Sequence, residues 1–250
     1  MDKNFINTLL DAAGDITLNY FNSDNLHIET KADDSPVSKA DKDAETVIRG
    51  LIKQSYPEHG IIGEEFGCEN EGAEYTWIID PIDGTRAFIN GIDTFANMVC
   101  LLHNDKPILS GIGFPAKSQR YIAYDNKTFV NEIETTVGVH NLSDCKVSYS
   151  LSEMFTADEF KTVEKITAFT QGAKVGGDAY NYCRMTAGDN LIVMESDLKP
   201  YDFLPLVPII KNAGGYIADW NGNELTLQSG NQVIATPFEM NELVGVINNG

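Results

Sequence analysis

The sequence predicts layered α/β structure. Two amphipathic helical patterns open the chain, a run of short apolar strands follows, and helix and strand patterns alternate through the second half. The first helix is read from Phe5, Ile6, Leu9, Leu10, Ala13, Ile16, Tyr20 and Phe21, apolar residues that recur with the helical period. A polar stretch over 31–36 interrupts the pattern. A second helix begins near Ser38, buries Ala40, Ala44, Val47, Ile48, Leu51 and Ile52, and stops before Pro57, because a residue preceding proline is pushed out of the helical region. Strands are expected over 60–63, 76–80, 94–102, 107–114, 120–124 and 127–131, the last two joined as a hairpin around Asp125 and Asn126. Beyond them the pattern predicts a helix over 157–165, a strand over 166–171 and a helix after Asp178. A strand over 190–195, a helix after Asp202 and strands over 215–219 and 232–235 follow. A last helix carries Pro237 in its first turn. No internal repeat or low-complexity linker divides residues 1–250, so one domain is expected, with any division near residue 140 separating two lobes (1–140 and 141–250) of one unit.

Charge narrows the function classes. Among 250 residues, Lys and Arg total 18 and Asp and Glu 37, a formal net charge of -19. Such a surface repels polyphosphate backbones and anionic lipid, which argues against nucleic acid and membrane as partners. It equally repels a small phosphate ester, so a chain of this composition that handles phosphate needs bound cations. Cys68, Cys100, Cys145 and Cys183 are scattered without a Cys-x-x-Cys pair, and His27, His59, His103 and His140 show no ligand spacing. Reduced thiols, no visible signal peptide and no bilayer-length apolar run together predict a cytoplasmic protein.

The sharpest feature is Trp77-Ile-Ile-Asp80-Pro-Ile-Asp83-Gly-Thr85. An apolar strand ends in two carboxylates three residues apart, and Pro81 fixes a backbone angle at the bend so that Asp80 and Asp83 can converge. The carbonyl of Ile82 offers a neutral oxygen, and the amides of Gly84 and Thr85 offer donors for an anion. Hard oxygen donors of this kind suit magnesium or manganese rather than zinc. The same residue types also favour a plain turn. Glu64 and Glu65 follow the strand at 60–63, and a Glu pair is by itself an ordinary surface feature. Asp202 precedes an apolar run and reads equally as a helix cap. Asp41 forms with Ser38 the Ser-x-x-Asp pattern of a capping box.

Gly63-Glu64-Glu65, Asp80-Pro-Ile-Asp-Gly-Thr85, and Tyr201-Asp202 followed by Gly214-Gly215 resemble, in order and spacing, the inositol monophosphatase family. The likeness runs from about Lys31 to Gly222. It implies the fold of that family and of the fructose-1,6-bisphosphatases, an α-β-α-β-α sandwich, commonly a homodimer. It implies a magnesium-dependent phosphomonoesterase holding two or three Mg2+ ions, with Mn2+ as an alternative. Their implied ligands are Glu64, Asp80, the Ile82 carbonyl, Asp83 and Asp202. Asp41 and Thr85 are implied to orient the attacking water, and Glu65 completes the catalytic set. Gly84 and Thr85 are expected to hold the phosphate. One departure is the pair Pro205 and Pro208: the first falls in the opening turn of the helix after Asp202, while the second is expected to kink that helix or mark its true start.

Within the family, Arg86 after the central motif, Gly176-Gly-Asp-Ala-Tyr-Asn-Tyr182 and Leu198-Lys-Pro-Tyr-Asp202 are most similar to its histidinol-phosphate phosphatases. The expected substrate is accordingly a small phosphorylated metabolite, histidinol phosphate, converted to histidinol in histidine biosynthesis. Inositol monophosphate or a sugar or nucleotide phosphate is the alternative, and a non-catalytic metal-binding protein of the same fold is the rival from another class. Asp178 and Glu195 are expected at the leaving alcohol, although Asp178 also reads as a helix cap and Glu195 as a strand end.

Overall fold

The computed structural model describes residues 3–21, 23, 28–30 and 36–248. Most of the polar stretch at 31–36 lies outside them. Ile6, Leu9, Leu10 and Ala13 share the buried face of α1 (Lys3–Tyr20), in keeping with their spacing. Two short strands, β1 (Glu29–Thr30) and β2 (Pro36–Val37), pair antiparallel and lead into α2 (Lys39–Ser55). Ser38 caps that helix, and Asp41 Oδ2 accepts from the Ser38 amide at 2.8 Å and its hydroxyl at 2.6 Å.

The large sheet is built from β3 (Gly60–Gly63), β4 (Gly67–Glu69) and β5 (Tyr75–Asp83), then, after the short helix α3 (Thr85–Ile89), from β6 (Ala96–His103), β7 (Lys106–Phe114), β8 (Gln119–Tyr124), β9 (Lys127–Val130) and β10 (Ile133–Thr135). Its eight strands run in the order β10-β9-β8-β7-β6-β5-β3-β4, and only β3 and β5 pair in parallel. The β8–β9 hairpin turns through Asp125 and Asn126, both at positive φ (49° and 57°), as a tight two-residue connection requires. Side chains alternate across this sheet. Ile61, Trp77, Ile79, Val99 and Leu101 meet α1 and α2 on one face. Ile78, Met98, Cys100 and Ile112 face the other way, into the centre of the molecule.

The second half supplies β11 (Lys146–Tyr149), α4 (Ala157–Thr167), β12 (Ala173–Val175), α5 (Asp178–Thr186), β13 (Leu191–Glu195), α6 (Pro200–Phe203), α7 (Leu206–Asn212), β14 (Tyr216–Ala218), β15 (Val233–Thr236) and α8 (Asn241–Asn248). Five of these form a second sheet in the order β12-β11-β13-β15-β14. Residues of α5, α6 and α7 (Tyr182, Cys183, Phe203, Leu206 and Ile209) fill the space between the two sheets. Val163 and Ile166 of α4 and Leu243 of α8 cover the outer face against Ile192, Met194, Trp220 and Ile234. The layers are helix, sheet, helix, sheet, helix: the α-β-α-β-α sandwich that the resemblance implied. No described helix is long and apolar enough to cross a membrane.

Several expected elements moved. Residues 166–171 are not a strand: α4 continues to Thr167, its buried face set by Val163 and Ile166, and the strand comes later, at Ala173–Val175. The C-terminal helix begins at Asn241 instead of Pro237, with the amides of Leu243 and Val244 bound to the Met240 carbonyl. The expected helix after Asp202 is two, and Asp202 lies inside the first. Pro205 stands at the break and Pro208 in the first turn of α7, where a missing N–H leaves no intrahelical bond unmade. The expected kink is therefore a clean interruption at residues 204–205. Strands β4, β10 and β11 had no sequence signal that set them apart.

Candidate active site

The site begins with an irregularity in β5. Asp80 pairs with Met98 and Asp83 with Ala96, so four residues of β5 span three of β6. In a regular strand, residues three apart face opposite sides; the extra residue of a bulge brings the two carboxylates to the same side. Asn97, fully buried on β6, donates from Nδ2 to the Pro81 carbonyl at 2.6 Å and pins the bulge. Gly84 follows with φ 74° and ψ 42°, left-handed geometry that turns the chain into α3. A Cβ there would lie 2.9 Å from Asp178 Oδ2, so only glycine lets the two segments approach.

Carboxylates gather around this bulge. Asp80 is 1% exposed, and its Oδ1 has no hydrogen-bond partner. Burial, together with the charges of Glu64, Asp83, Asp202 and Asp41, pushes its carboxyl well above the usual range. Burial does the same to Asp83, helped by Asp178, Asp202 and Glu195 and opposed by the Ala179 amide, which donates to Asp83 Oδ2 at 2.9 Å. That bond ties the start of α5 to the end of β5. Burial raises the Asp178 carboxyl as well. Glu195, 2% exposed at the end of β13, is pushed up to about 8 by burial, against the pull of the Ser150 hydroxyl that donates to its Oε1 at 2.7 Å. Asp202 Oδ2 accepts from the Lys199 amide at 2.7 Å, which caps the start of α6.

Thr85 sits on the opposite side of the bulge. Its Oγ1 lies 3.0 Å from the Ile82 carbonyl and 3.4 Å from Asp41 Oδ1. Asp41 therefore combines the cap read from its spacing with a place beside Thr85 that the resemblance implied: one oxygen caps α2 and the other faces Thr85. A cleft of about 780 Å³ opens over the cluster, lined among others by Glu64, Asp83, Thr85, Asp178, Glu195 and Asp202. Arg86 and Lys174 line it too. Glu65 does not; its amide donates to Glu45 Oε2 at 2.7 Å in the turn after β3.

Glu45 and Arg49 are residues that sequence reasoning missed. Both are buried on α2, Arg49 Nε lies 2.7 Å from Glu45 Oε1, and the carboxylate also takes the amides of Glu65 and Phe66. The pair clamps the turn that carries Glu64. Gly63 makes room for it, since a Cβ there would meet Glu45 Oε1 at 2.1 Å. The signal was present as a Glu and an Arg four apart, adjacent to the apolar Ala44 and Ile48 on a buried helix face. Ser150, Asn97 and Tyr182, whose hydroxyl is buried without a partner, carried no such signal.

Among the described residues no three His, Cys, Asp or Glu side chains stand as a closed ligand group. The donor set nevertheless fits a hard divalent cation. Four carboxylates act on the buried Asp80, three of them from the cleft, and Asp80 Oδ1 has no donor within reach, an arrangement that like charges tolerate only with protons or a cation between them.

Residues 3–248 match the model of the inositol monophosphatase family. A chloroplastic bifunctional phosphatase, IMPL2, of Arabidopsis thaliana is 37% identical over 94% of this chain and 68% of its own. A histidinol-phosphatase of Chlorobaculum parvum is 30% identical over 97% and 95%. The structure of an inositol monophosphatase from Zymomonas mobilis superposes with a TM-score of 0.88 at 33% identity, covering 98% of this chain and 96% of that one. With the sandwich fold and the carboxylate cluster already in place, these likenesses leave one assignment: the chain belongs to the inositol monophosphatase family of phosphatases.

Proposed function

We propose that the chain is a magnesium-dependent phosphomonoesterase whose substrate is histidinol phosphate. The observation that carries the metal requirement is Asp80 Oδ1, a buried carboxylate oxygen with no protein donor amid four further carboxylates. Glu64, Asp80, Asp83, Asp202 and the Ile82 carbonyl are the residues that would hold the ions. When bound, magnesium polarises the phosphoryl group, activates water and stabilises the leaving alkoxide.

The remaining work belongs to the chain. Thr85 Oγ1 would take the attacking water's proton as it passes its own to Asp41 Oδ1, so the hydroxyl is restored and Asp41 carries the proton; the two oxygens lie 3.4 Å apart. Amides at Gly84 and Thr85 hold the phosphate. Arg86 and Lys174 give an anion two positive groups to approach in a molecule of charge -19. At the far wall, Asp178 and Glu195 face the leaving alcohol.

The substrate follows from that wall and from relatives. Histidinol phosphate carries an ammonium beside the phosphoester carbon, which a buried carboxylate pair receives; inositol phosphate offers only hydroxyls. The relative from Chlorobaculum parvum is a histidinol-phosphatase, in keeping with this. The enzyme is expected to favour L-histidinol phosphate over inositol 1-phosphate in kcat/KM. Asp178→Asn erodes that preference by about tenfold to hundredfold, since a desolvated carboxylate–ammonium pair is worth about 1.5–3 kcal/mol. Steady-state kinetics on the two esters decides the point, and equal kcat/KM values in the wild type would return the assignment to a phosphatase of broad specificity.

A further inference from the structure

Two buried polar atoms on the wall of the cleft have no hydrogen-bond partner: the hydroxyl oxygen of Tyr182 and Oε2 of Glu195. Each residue is 2% exposed and each lines the cleft, one from α5 and the other from the end of β13. Burial first, and then the charges of Glu195, Asp83, Asp202 and Asp178, hold the tyrosine hydroxyl well above its ordinary range. The other oxygen of Glu195 is held by Ser150 Oγ at 2.7 Å, so the carboxylate is anchored with Oε2 unsatisfied. Buried groups of this kind are ordinarily paired, and leaving them unpaired costs free energy. The Tyr182 hydroxyl supports nothing in the fold that a phenylalanine ring would not support equally.

We propose that Tyr182 is a specificity-determining residue of the leaving-group subsite, its hydroxyl oxygen and Glu195 Oε2 together accepting hydrogen bonds from one primary ammonium. The proposal rests on the reading of this cleft as the site of an amino-alcohol phosphate phosphatase. The chemistry is a count of donors. An ammonium carries three N–H groups on one atom, whereas a hydroxyl carries one. A single ammonium donates to both oxygens at once, while a hydroxyl in the same place has one O–H to give and reaches both groups only by accepting from the tyrosine, a neutral exchange without the ammonium's charge. The tyrosine keeps its proton, since burial and the surrounding carboxylates hold its hydroxyl well above the usual range, and its oxygen lone pairs accept from the ligand. Discrimination of this type comes from the charge-assisted bonds that the wrong ligand cannot make, and it exceeds what shape alone provides.

Tyr182→Phe removes the hydroxyl and nothing else. It is expected to lower kcat/KM for L-histidinol phosphate about tenfold to hundredfold, chiefly through KM. Hydrolysis of p-nitrophenyl phosphate, whose leaving group has no donor, should be unchanged. Thermal stability should equal or exceed that of the wild type, because the lost hydroxyl had no partner; a structural role would lower it. Equal losses on both esters, or no loss on either, would overturn the proposal. Failure of the substrate reading shows separately, before any variant is made, as a wild type that hydrolyses p-nitrophenyl phosphate with magnesium but does not favour the amino ester over inositol 1-phosphate. In that event, competitive inhibition by L-histidinol in the wild type and in Tyr182→Phe reads the ammonium contact alone, and equal inhibition constants would overturn it.

Discussion

Asp80→Asn abolishes turnover, with a loss of about a thousandfold or more in kcat, while the fold survives. Asp80 is buried at the centre of the carboxylate cluster, and its Oδ1 has no other use in the structure. Removing its charge removes a ligand that the ions cannot replace with solvent at that depth, and one preorganised electrostatic group is commonly worth about a hundredfold to a thousandfold by itself. Stability behaves in the opposite sense. Burial and four neighbouring carboxylates hold the Asp80 carboxyl well above its ordinary value, so the folded state binds that proton more tightly than the unfolded chain does. The stability this contributes is complete below the unfolded value of about 4 and is lost as pH rises through the folded one. In chelator, the wild type should therefore lose stability as pH rises above about 4, and the amide variant should lose less. Thermal melts of the two proteins across that range, with and without magnesium, check both halves. An Asp80→Asn enzyme that retains wild-type kcat would remove Asp80 from the reaction.

Thr85→Ala lowers kcat by about two to four orders of magnitude, the range typical of proton-transfer groups, with little change in magnesium affinity by calorimetry. Its hydroxyl lies 3.0 Å from the Ile82 carbonyl and 3.4 Å from Asp41 Oδ1, and in the proposed mechanism it acts on the nucleophile through Asp41. Thr85→Ser keeps the hydroxyl and should keep most of the activity. Asp41→Asn separates the two duties of that residue. As a helix cap alone, it would cost about 1 kcal/mol of stability and leave kcat intact; as the partner of Thr85 it should reduce kcat as well. A Thr85→Ala enzyme with unchanged kcat and weakened magnesium binding would place Thr85 among the groups that support the metal instead.

What could be read from sequence followed the range of the interactions involved. Asp80, Pro81, Asp83 and Gly84 are local, and their spacing stated both the bend and the convergence that the bulge against β6 delivers. Ser38 and Asp41 were legible for the same reason, as a cap closed within four residues. The Glu45–Arg49 clamp was not, because its purpose appears only when the turn after β3 docks 20 residues away on α2. Residues 166–171 misled because Ile166, Phe169 and Thr170 suit a strand, whereas tertiary packing of Val163 and Ile166 against the second sheet extends the helix. Strands β4, β10 and β12 are three residues each, too short for a period to declare itself. Tyr182 entered the sequence reading only as the end of the 176–182 motif; its ring is core, and the position of its hydroxyl in the cleft marks it.

The central claim is that phosphate ester hydrolysis here depends on divalent cations held by this carboxylate cluster. Release of inorganic phosphate from L-histidinol phosphate by the wild type, followed in excess chelator and again after magnesium is restored beyond the chelator, tests it most directly. The account predicts background release in chelator and recovery with magnesium; full turnover in chelator would contradict it.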